Sequence, residues 1–206
     1  MPSQIVIVDC GTGNLNSVKR SLDRIIAGVI ISSNAEDILR AEKIILPGIG
    51  HFGKAMSNLH QNGVIDALHQ AVLVNGTPIL GICLGMELMA KKSDEGKAEG
   101  LGWIDAEIIR FDVSDKNHYK IPHMGWNQIS IKKDSLLMNS VPESSEFYFA
   151  HSYHLKINDP ADLLNETRYE TTFPSAIEKG NIFGVQYHPE KSHDAGARLL
   201  KNFIEM

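Results

Sequence analysis

A three-layer α/β domain built around a mixed central sheet is the fold class this sequence predicts, and three observations carry it. Strand-like and helix-like stretches alternate through the first half, the mark of a parallel sheet covered on both faces. After Gly100 the texture changes to short strand-like segments with few helical stretches between them. At the centre, "TPILGICLGMELMA" (Thr77 to Ala90) passes from an apolar run into a helix with only Cys83 at the junction.

Taken in order, "QIVIVD" from Gln4 is short, β-branched and apolar on both faces, as a central strand must be when helices cover it. Leu15, Val18, Leu22, Ile25 and Ile26 then share one helical stripe. "KIILPG" from Lys43 repeats the strand signal, and the segment through Leu59 to Leu73 reads as helical. "TPILGI" is the next strand, with a helix expected from about Leu84 to Lys92, its two lysines suiting the negative end of the helix dipole. Beyond Gly100, "AEIIRF", "NQISI", "FYFAHSY", "RYETTF" and "IFGVQYHP" read as strands of a meander packed onto the sheet. "SHDAGARLLKNFIEM" restores a helix, with Ala195, Leu199 and Phe203 on one side and Ser192 as its N-cap. No repeat, low-complexity tract or linker interrupts the chain, so residues 1–206 are expected to form a single domain.

Bulk properties exclude several function classes. The net charge of −5 comes from 25 acids against 20 bases with no basic tract, which argues against duplex nucleic acid as a partner. The amino terminus lacks the charged leader and long apolar core of a secretory signal, and every apolar run falls below the ~18 residues of a membrane helix. A cytoplasmic protein is expected. Cys10 and Cys83 cannot build a disulfide framework and lack a zinc pattern; the default for each is a small buried hydrophobe. "CGTGNLN" has Asn16 where a dinucleotide fingerprint needs its third glycine, and no acid stands at the ribose distance. His118 and His123 are spaced too irregularly for a metal, and His60 and His69 are expected on helix surfaces. No metal or organic cofactor is implied.

The chemistry-bearing signal is Cys83. A strand that ends one residue before a helix forces that residue into a sharp turn and throws its side chain above the sheet edge, the geometry of a nucleophile elbow. Gly81 and Gly85 flank it at −2 and +2, where absent side chains let strand and helix approach. A helix N-terminus would favour the thiolate, and the Leu84 N–H is placed to meet an oxyanion. Taken alone, the motif fits a structural cysteine about as well. Among nine histidines, His188 in "GVQYHPE" stands out, because Pro189 holds its predecessor extended and Glu190 falls two residues on, on the same side. That carboxylate can take the imidazole Nδ1–H and leave Nε2 as a base toward sulfur. "LPGIGHFG", Leu46 to Gly53, follows a strand with three glycines in six positions and could aim backbone N–H groups at an anion, although a tight loop has the same composition.

These motifs, with "PHMGWN", "YFAHSY" and "FGVQYHPEKS", resemble the class I glutamine amidotransferases, which have a flavodoxin-like three-layer fold. Within that family they are most similar to the glutaminase subunits of imidazole glycerol phosphate synthase in histidine biosynthesis. The resemblance implies that Cys83 attacks the side-chain amide of glutamine, His188 moves the proton to departing ammonia, and Glu190 orients His188. It further implies that Gly48 and Gly50 belong to the oxyanion loop, that Glu95 meets the substrate's amino group, and that backbone at Ser152 and Tyr153 meets its carboxylate. The implied partner is a (β/α)₈-barrel cyclase subunit that receives the ammonia, with Asn14, Trp126, Tyr148 and Lys191 facing it or gating ammonia's path. Ordinary core or solvated roles fit those four residues equally well.

Two departures stand against the resemblance. The family usually carries glutamine where this chain has Glu87, and a carboxylate there opposes a thiolate and cannot donate to a substrate carboxylate unless protonated. The first loop has Cys10 where a tyrosine or another large residue is usual, and its "GTGN" also differs. Alternatives therefore remain: a paralogous glutaminase feeding amidination of a bacterial surface sugar, a non-catalytic partner subunit, or a small cysteine hydrolase acting alone on other amides.

Overall fold

The structure, a computed structural model, describes residues 4–11 and 13–206, so Thr12 of the first loop and positions 1–3 lie outside it. The first half runs β1 (Ile5–Val8), α1 (Leu15–Asp23), β2 (Val29–Ser32), α2 (Ala35–Arg40), β3 (Lys43–Gly48), α3 (Phe52–Gln61), α4 (Val64–His69), β4 (Ile79–Cys83) and α5 (Leu84–Glu87). A π turn at Gln70–Val74 extends α4. The second half contributes β5 (Lys92–Ser93), β6 (Ala98–Glu99), β7 (Ala106–Arg110), β8 (His123–Gln128) and β9 (Ser130–Ile131). It continues with β10 (Glu146–His151), β11 (Tyr153–Ile157), β12 (Leu163–Tyr169), β13 (Thr171–Lys179), β14 (Ile182–Val185) and α6 (His193–Glu205).

An eight-stranded sheet in the order β2-β1-β3-β4-β14-β13-β12-β9 forms the middle layer. Its first five strands are parallel and the rest antiparallel, so the expected mixed sheet is present. Successive β1 side chains point to opposite faces, as the pleat requires. Val6 and Val8 join a core with Ile38, Leu59 and Leu68, while Ile5 and Ile7 join one with Val18, Leu22, Leu199 and Phe203. Helices on both faces thus bury the strand completely, at roughly 1.5–3 kcal/mol for each large aliphatic side chain.

Several expectations are corrected. The helix after Cys83 ends at Glu87 rather than Lys92, because the Leu88 carbonyl accepts from Leu101 N–H and the Met89 carbonyl from Trp103 and Ile104 N–H, at 2.8–3.0 Å. Lys91 and Lys92 therefore pair with Asp105 and Glu107, at 2.8 and 2.9 Å, and serve no helix dipole. "RYETTF" is a hairpin, not a strand: Tyr169 pairs with Thr171 around Glu170 at φ +50°. The Glu170 carboxylate is held by the Ser114 and Asp115 N–H groups and the Ser114 hydroxyl. "FYFAHSY" and "NQISI" each divide between two sheets. The expected meander does not lie on the sheet as a unit, since β9 and β12–β14 complete it while β10-β8 and β11-β7-β5-β6 form two smaller sheets. Ser192 makes no side-chain cap bond to α6; its Oγ donates to the His188 carbonyl and accepts from Tyr148 N–H. His69 is half-buried against Trp103 rather than on a helix surface. Among the described residues no helix is long and apolar enough to cross a membrane.

A Cβ on Gly85 would sit 1.6 Å from the Leu46 carbonyl oxygen, so α5 packs on β3 only with glycine there. Gly85→Ala should destabilise the fold by more than ~3 kcal/mol, because the obstruction is backbone and cannot move aside. Thermal or denaturant unfolding reads the effect, and a variant melting within about 1 °C of the wild type would contradict this packing.

Candidate active site

The β4-to-α5 junction leaves Cys83 at φ +53°, ψ −113°, a region that non-glycine residues occupy only when their surroundings force it. Here the strands on both sides do so: Gly48 of β3 pairs with Cys83, and Val185 of β14 pairs with Ile82. Because β14 is β4's parallel neighbour, the chain just beyond Val185 emerges at the same sheet edge as the thiol. Gln186 Nε2 lies 3.9 Å from Cys83 Sγ. Two residues later, His188 Nδ1 meets Glu190 Oε1 at 2.9 Å, with both side chains almost wholly withdrawn from solvent. Nδ1 facing a carboxylate carries the proton, which leaves Nε2 as the basic nitrogen. Asn14 Nδ2 donates to the same Glu190 Oε1.

Burial pushes the Cys83 thiol well above its ordinary value, and the charges of Glu87 and Glu190 push it further. The Leu84 N–H and Gln186 act in the opposite direction without prevailing. The expected helix-terminus lowering is thus overturned: α5 is one turn long, and its few aligned peptides cannot outweigh desolvation and two acids. The resting group is the thiol, and it becomes a nucleophile only as its proton leaves.

Glu87, which acts on this thiol, lines a cavity of ≈ 160 Å³ whose wall also includes Gly50, Glu95, His151, Ser152 and Tyr153 but neither Cys83 nor His188. All four residues expected at the substrate thus share one wall. Gly48 closes β3 directly beside Cys83, and Gly50, at φ +107°, reaches the cavity from the loop that follows. Glu95 Oε2 accepts from the Phe52 N–H at 2.7 Å, which ties it to the start of α3. Glu87 Oε1 accepts from Gln186 Nε2 at 2.8 Å. Burial raises the Glu87 carboxyl to about 7, the Gln186 hydrogen bond opposes this, and the charge of Glu95 adds to it.

The glutamine amidotransferase class-I family matches residues 6–206. The chain belongs to that family. It is 46% identical over 201 residues to imidazole glycerol phosphate synthase subunit HisH 2 of Methanococcus maripaludis, covering 98% of each chain. To the subunit HisH 2 of Pseudomonas aeruginosa it is 43% identical over 202 residues, covering 98% of this chain and 99% of that one. The crystal structure of a glutamine amidotransferase shares its fold at a TM-score of 0.74 and 18% identity, over 97% of each chain. The glutaminase domain of a Trypanosoma brucei CTPS with bound acivicin does so at 0.66 and 17%, over 98% of this chain and 92% of that one.

This amidotransferase chain also carries site residues that nothing in its sequence motifs singles out. Gln186, at the bend directly after β14, bridges Glu87 to the thiol. A buried imidazole pair is the second. Asn127 Nδ2 donates to His123 Nε2 (3.2 Å) and to the Arg168 carbonyl (3.0 Å), so His123 must carry its proton on Nδ1. That nitrogen donates to His151 Nε2 at 3.0 Å, and His151 Nδ1–H donates to the Tyr153 carbonyl at 2.7 Å. The relay has one direction, keeps both rings neutral, and ends on backbone in the cavity wall. Among the described residues no group of three His, Cys, Asp or Glu side chains is arranged to hold a metal.

Of the four residues expected to face a partner, Trp126 is 44% exposed, stacked on His193 at 4.9 Å, and 6.0 Å from the Tyr148 ring. Lys191 Nζ lies 5.2 Å above Tyr148, whose ring is 6.4 Å from that of His188. Tyr148 and Trp126 are cross-strand partners in the β10-β8 sheet, and Ala150 pairs with Met124, which is 65% exposed. Asn14 is half-buried, and its Nδ2 donates to Glu190 Oε1.

Burial holds His123 down at about 4 and His151 well below its ordinary value. An unfolded histidine protonates near 6.5, so below that pH the unfolded chain takes up protons that the folded one refuses. Stability should fall as pH drops from 6.5 toward 4, and His123→Gln should flatten part of that slope in urea titrations. Equal slopes would mean that His123 is not buried in its neutral form.

Proposed function

We propose that the chain is the glutaminase subunit of imidazole glycerol phosphate synthase, hydrolysing glutamine to glutamate and ammonia for a (β/α)₈-barrel cyclase partner. The observation that supports this most is the strained Cys83 at the sheet edge reached by the His188–Glu190 pair. The names of both relatives above support the subunit role. They lend no support to amidination of a surface sugar or to a lone hydrolase, and a complete set of thiol, imidazole and carboxylate argues against an inert subunit.

Each step follows from the resting protonation states. Cys83 Sγ attacks the amide carbon of glutamine as its proton passes to His188 Nε2, so the buried thiolate never stands alone. The carbonyl oxygen becomes an oxyanion, met by the Leu84 N–H and the Gly48–Gly50 loop. Collapse breaks the C–N bond, and the imidazolium returns its proton to the departing nitrogen. Ammonia leaves behind a glutamyl thioester. Water then attacks the thioester with His188 as base, and glutamate departs as the thiol re-forms. Glu190 holds the imidazole in the required tautomer throughout and stabilises its cationic form. Glu95 meets the substrate's ammonium, and the Ser152–Tyr153 backbone, held by the His123–His151 relay, meets its carboxylate.

Trp126, Tyr148 and Lys191 form the face on which the cyclase subunit docks. Their aromatic and cationic composition suits an interface core, and Tyr148 with Lys191 lies between His188 and that surface. Ammonia released at His188 passes beneath them.

Cys83→Ala should abolish glutamine-dependent synthesis in the complex yet leave synthesis from ammonium salts near the wild-type rate. Loss of both, measured by formation of the imidazole product, would make Cys83 structural. Trp126→Ala should weaken binding of the cyclase partner by at least about tenfold, since interface anchors of this kind are worth about 2 kcal/mol or more. Unchanged affinity by calorimetry would place the docking face elsewhere.

A further inference from the structure

We infer that Glu87 serves glutamine only as the neutral acid, so that the amidotransferase takes up a proton with its substrate and loses glutamine affinity as the pH rises. The inference rests on the glutaminase reading above and deepens it at the substrate pocket.

Charge balance at the pocket is uneven. Glutamine brings one ammonium and one carboxylate, whereas the cavity of ≈ 160 Å³ that would receive it presents Glu87 and Glu95, with no lysine or arginine among the described residues of its wall. One ammonium can answer one carboxylate. Glu95, hydrogen-bonded to the Phe52 N–H, is oriented for it. A second carboxylate would face the substrate's own in a confined space, where unpaired charge is costly. A neutral glutamic acid avoids this: it matches glutamine in shape and, like it, offers both a donor and an acceptor.

The hydrogen bonds around Glu87 say which oxygen does what. Oε1 accepts from Gln186 Nε2, so the proton of the neutral form resides on Oε2 and can be donated to the substrate carboxylate. The titratable groups around Glu87 are Glu95 from the β5–β6 loop, Cys83 from β4, and His151 and Tyr153 from the cavity wall. Glu190 acts on the same thiol. His151 is held neutral, so no imidazolium compensates the acids. The carboxyl's raised value of about 7 agrees with this balance. The ionised form is doubly unfavourable, because it repels the substrate carboxylate and also lifts the Cys83 thiol.

The sign follows: the competent, neutral fraction dominates below pH 7 and falls about tenfold per pH unit above it. In the complex with the ligand-bound cyclase partner, the ratio of kcat/KM for glutamine between wild type and Glu87→Gln cancels the ionisations that both share. That ratio should fall about tenfold per unit from about pH 7 to 9, with the loss in KM. A second measurement is independent of that variant's folding. Calorimetry of glutamine binding to the Cys83→Ala complex at about pH 8, in buffers of different ionisation enthalpy, should show uptake of about one proton. A flat ratio, or no proton uptake, overturns the inference. Glutamate release by the wild type no greater than by Cys83→Ala would instead overturn the glutaminase reading itself.

Discussion

The site depends on one steric constraint, the approach of the strand β4, the turn at Cys83 and the helix α5 to within backbone contact of their neighbours. A Cβ at Gly81 would meet the Met86 nitrogen at 2.7 Å, and one at Gly184 would meet the Met86 side chain at 2.5 Å. With Gly85 against the Leu46 carbonyl, three glycines on three segments remove the atoms that would hold α5 off the sheet. Only in that packing does the chain reverse within one residue and lift the thiol above the carboxyl ends of the parallel strands. Open α/β sheets gather ligands at this edge because their loops converge there. The same edge receives the segment of His188 from β14 and Gly48 from β3, so one close approach gathers the residues that the proposed reaction needs.

That closeness has an electrostatic consequence. The thiol is surrounded by apolar strands, two acids within reach and a helix too short to offset them, so the charged form is disfavoured at rest. In the proposed reaction the attack of Cys83 accordingly goes with the loss of its proton to His188, and the placement of His188 Nε2 matters for it. Every group that orients His188 thereby acts on the reaction. The Glu190 carboxylate fixes its tautomer, the Tyr148 carbonyl accepts its backbone N–H at 2.8 Å, and the Ser192 hydroxyl donates to its carbonyl at 2.7 Å.

What is legible in the sequence is local. The elbow at Cys83 shows because its flanking glycines sit two residues away on either side, and His188–Glu190 because proline fixes the intervening backbone. The four substrate-wall residues, Glu87, Glu95, Ser152 and Tyr153, come from the family resemblance, and the structure gathers them around one cavity. What is illegible is set by residues distant in sequence. The end of α5 at Glu87 is decided by N–H groups of Leu101 to Ile104, and nothing in "GMELMAKK" signals them. Glu170 turns "RYETTF" into a hairpin because Ser114 and Asp115 hold its carboxylate. His123 and His151 are separated by the whole β8–β10 connection, and only antiparallel pairing of those strands, with His123 opposite His151, makes them a relay. Val29 to Ser32 is as long as β1 but has three apolar residues rather than four, and only its pairing with β1 reveals it; Asn34 caps the helix after it by accepting from the Glu36 N–H.

Asn14 links the first loop to Glu190. It sits at the N-cap of α1 with φ +81°, a conformation asparagine tolerates better than most residues. From there its amide reaches Glu190 Oε1, the oxygen that already accepts from His188. Two donors on one carboxylate oxygen restrict its rotation, and charge-assisted bonds of this kind are the strong ones. The Glu190 carboxylate is thus positioned from two independent elements, the turn after β14 and the start of α1. Since α1 begins directly after the first loop, the start of that helix is linked to the His188 imidazole through a single side chain and Glu190. Behind that loop the Cys10 carbonyl accepts from Asn58 Nδ2 at 2.9 Å, and a Cβ at Gly11 would lie 2.6 Å from the same nitrogen, so the glycine after Cys10 lets α3 hold the loop from behind.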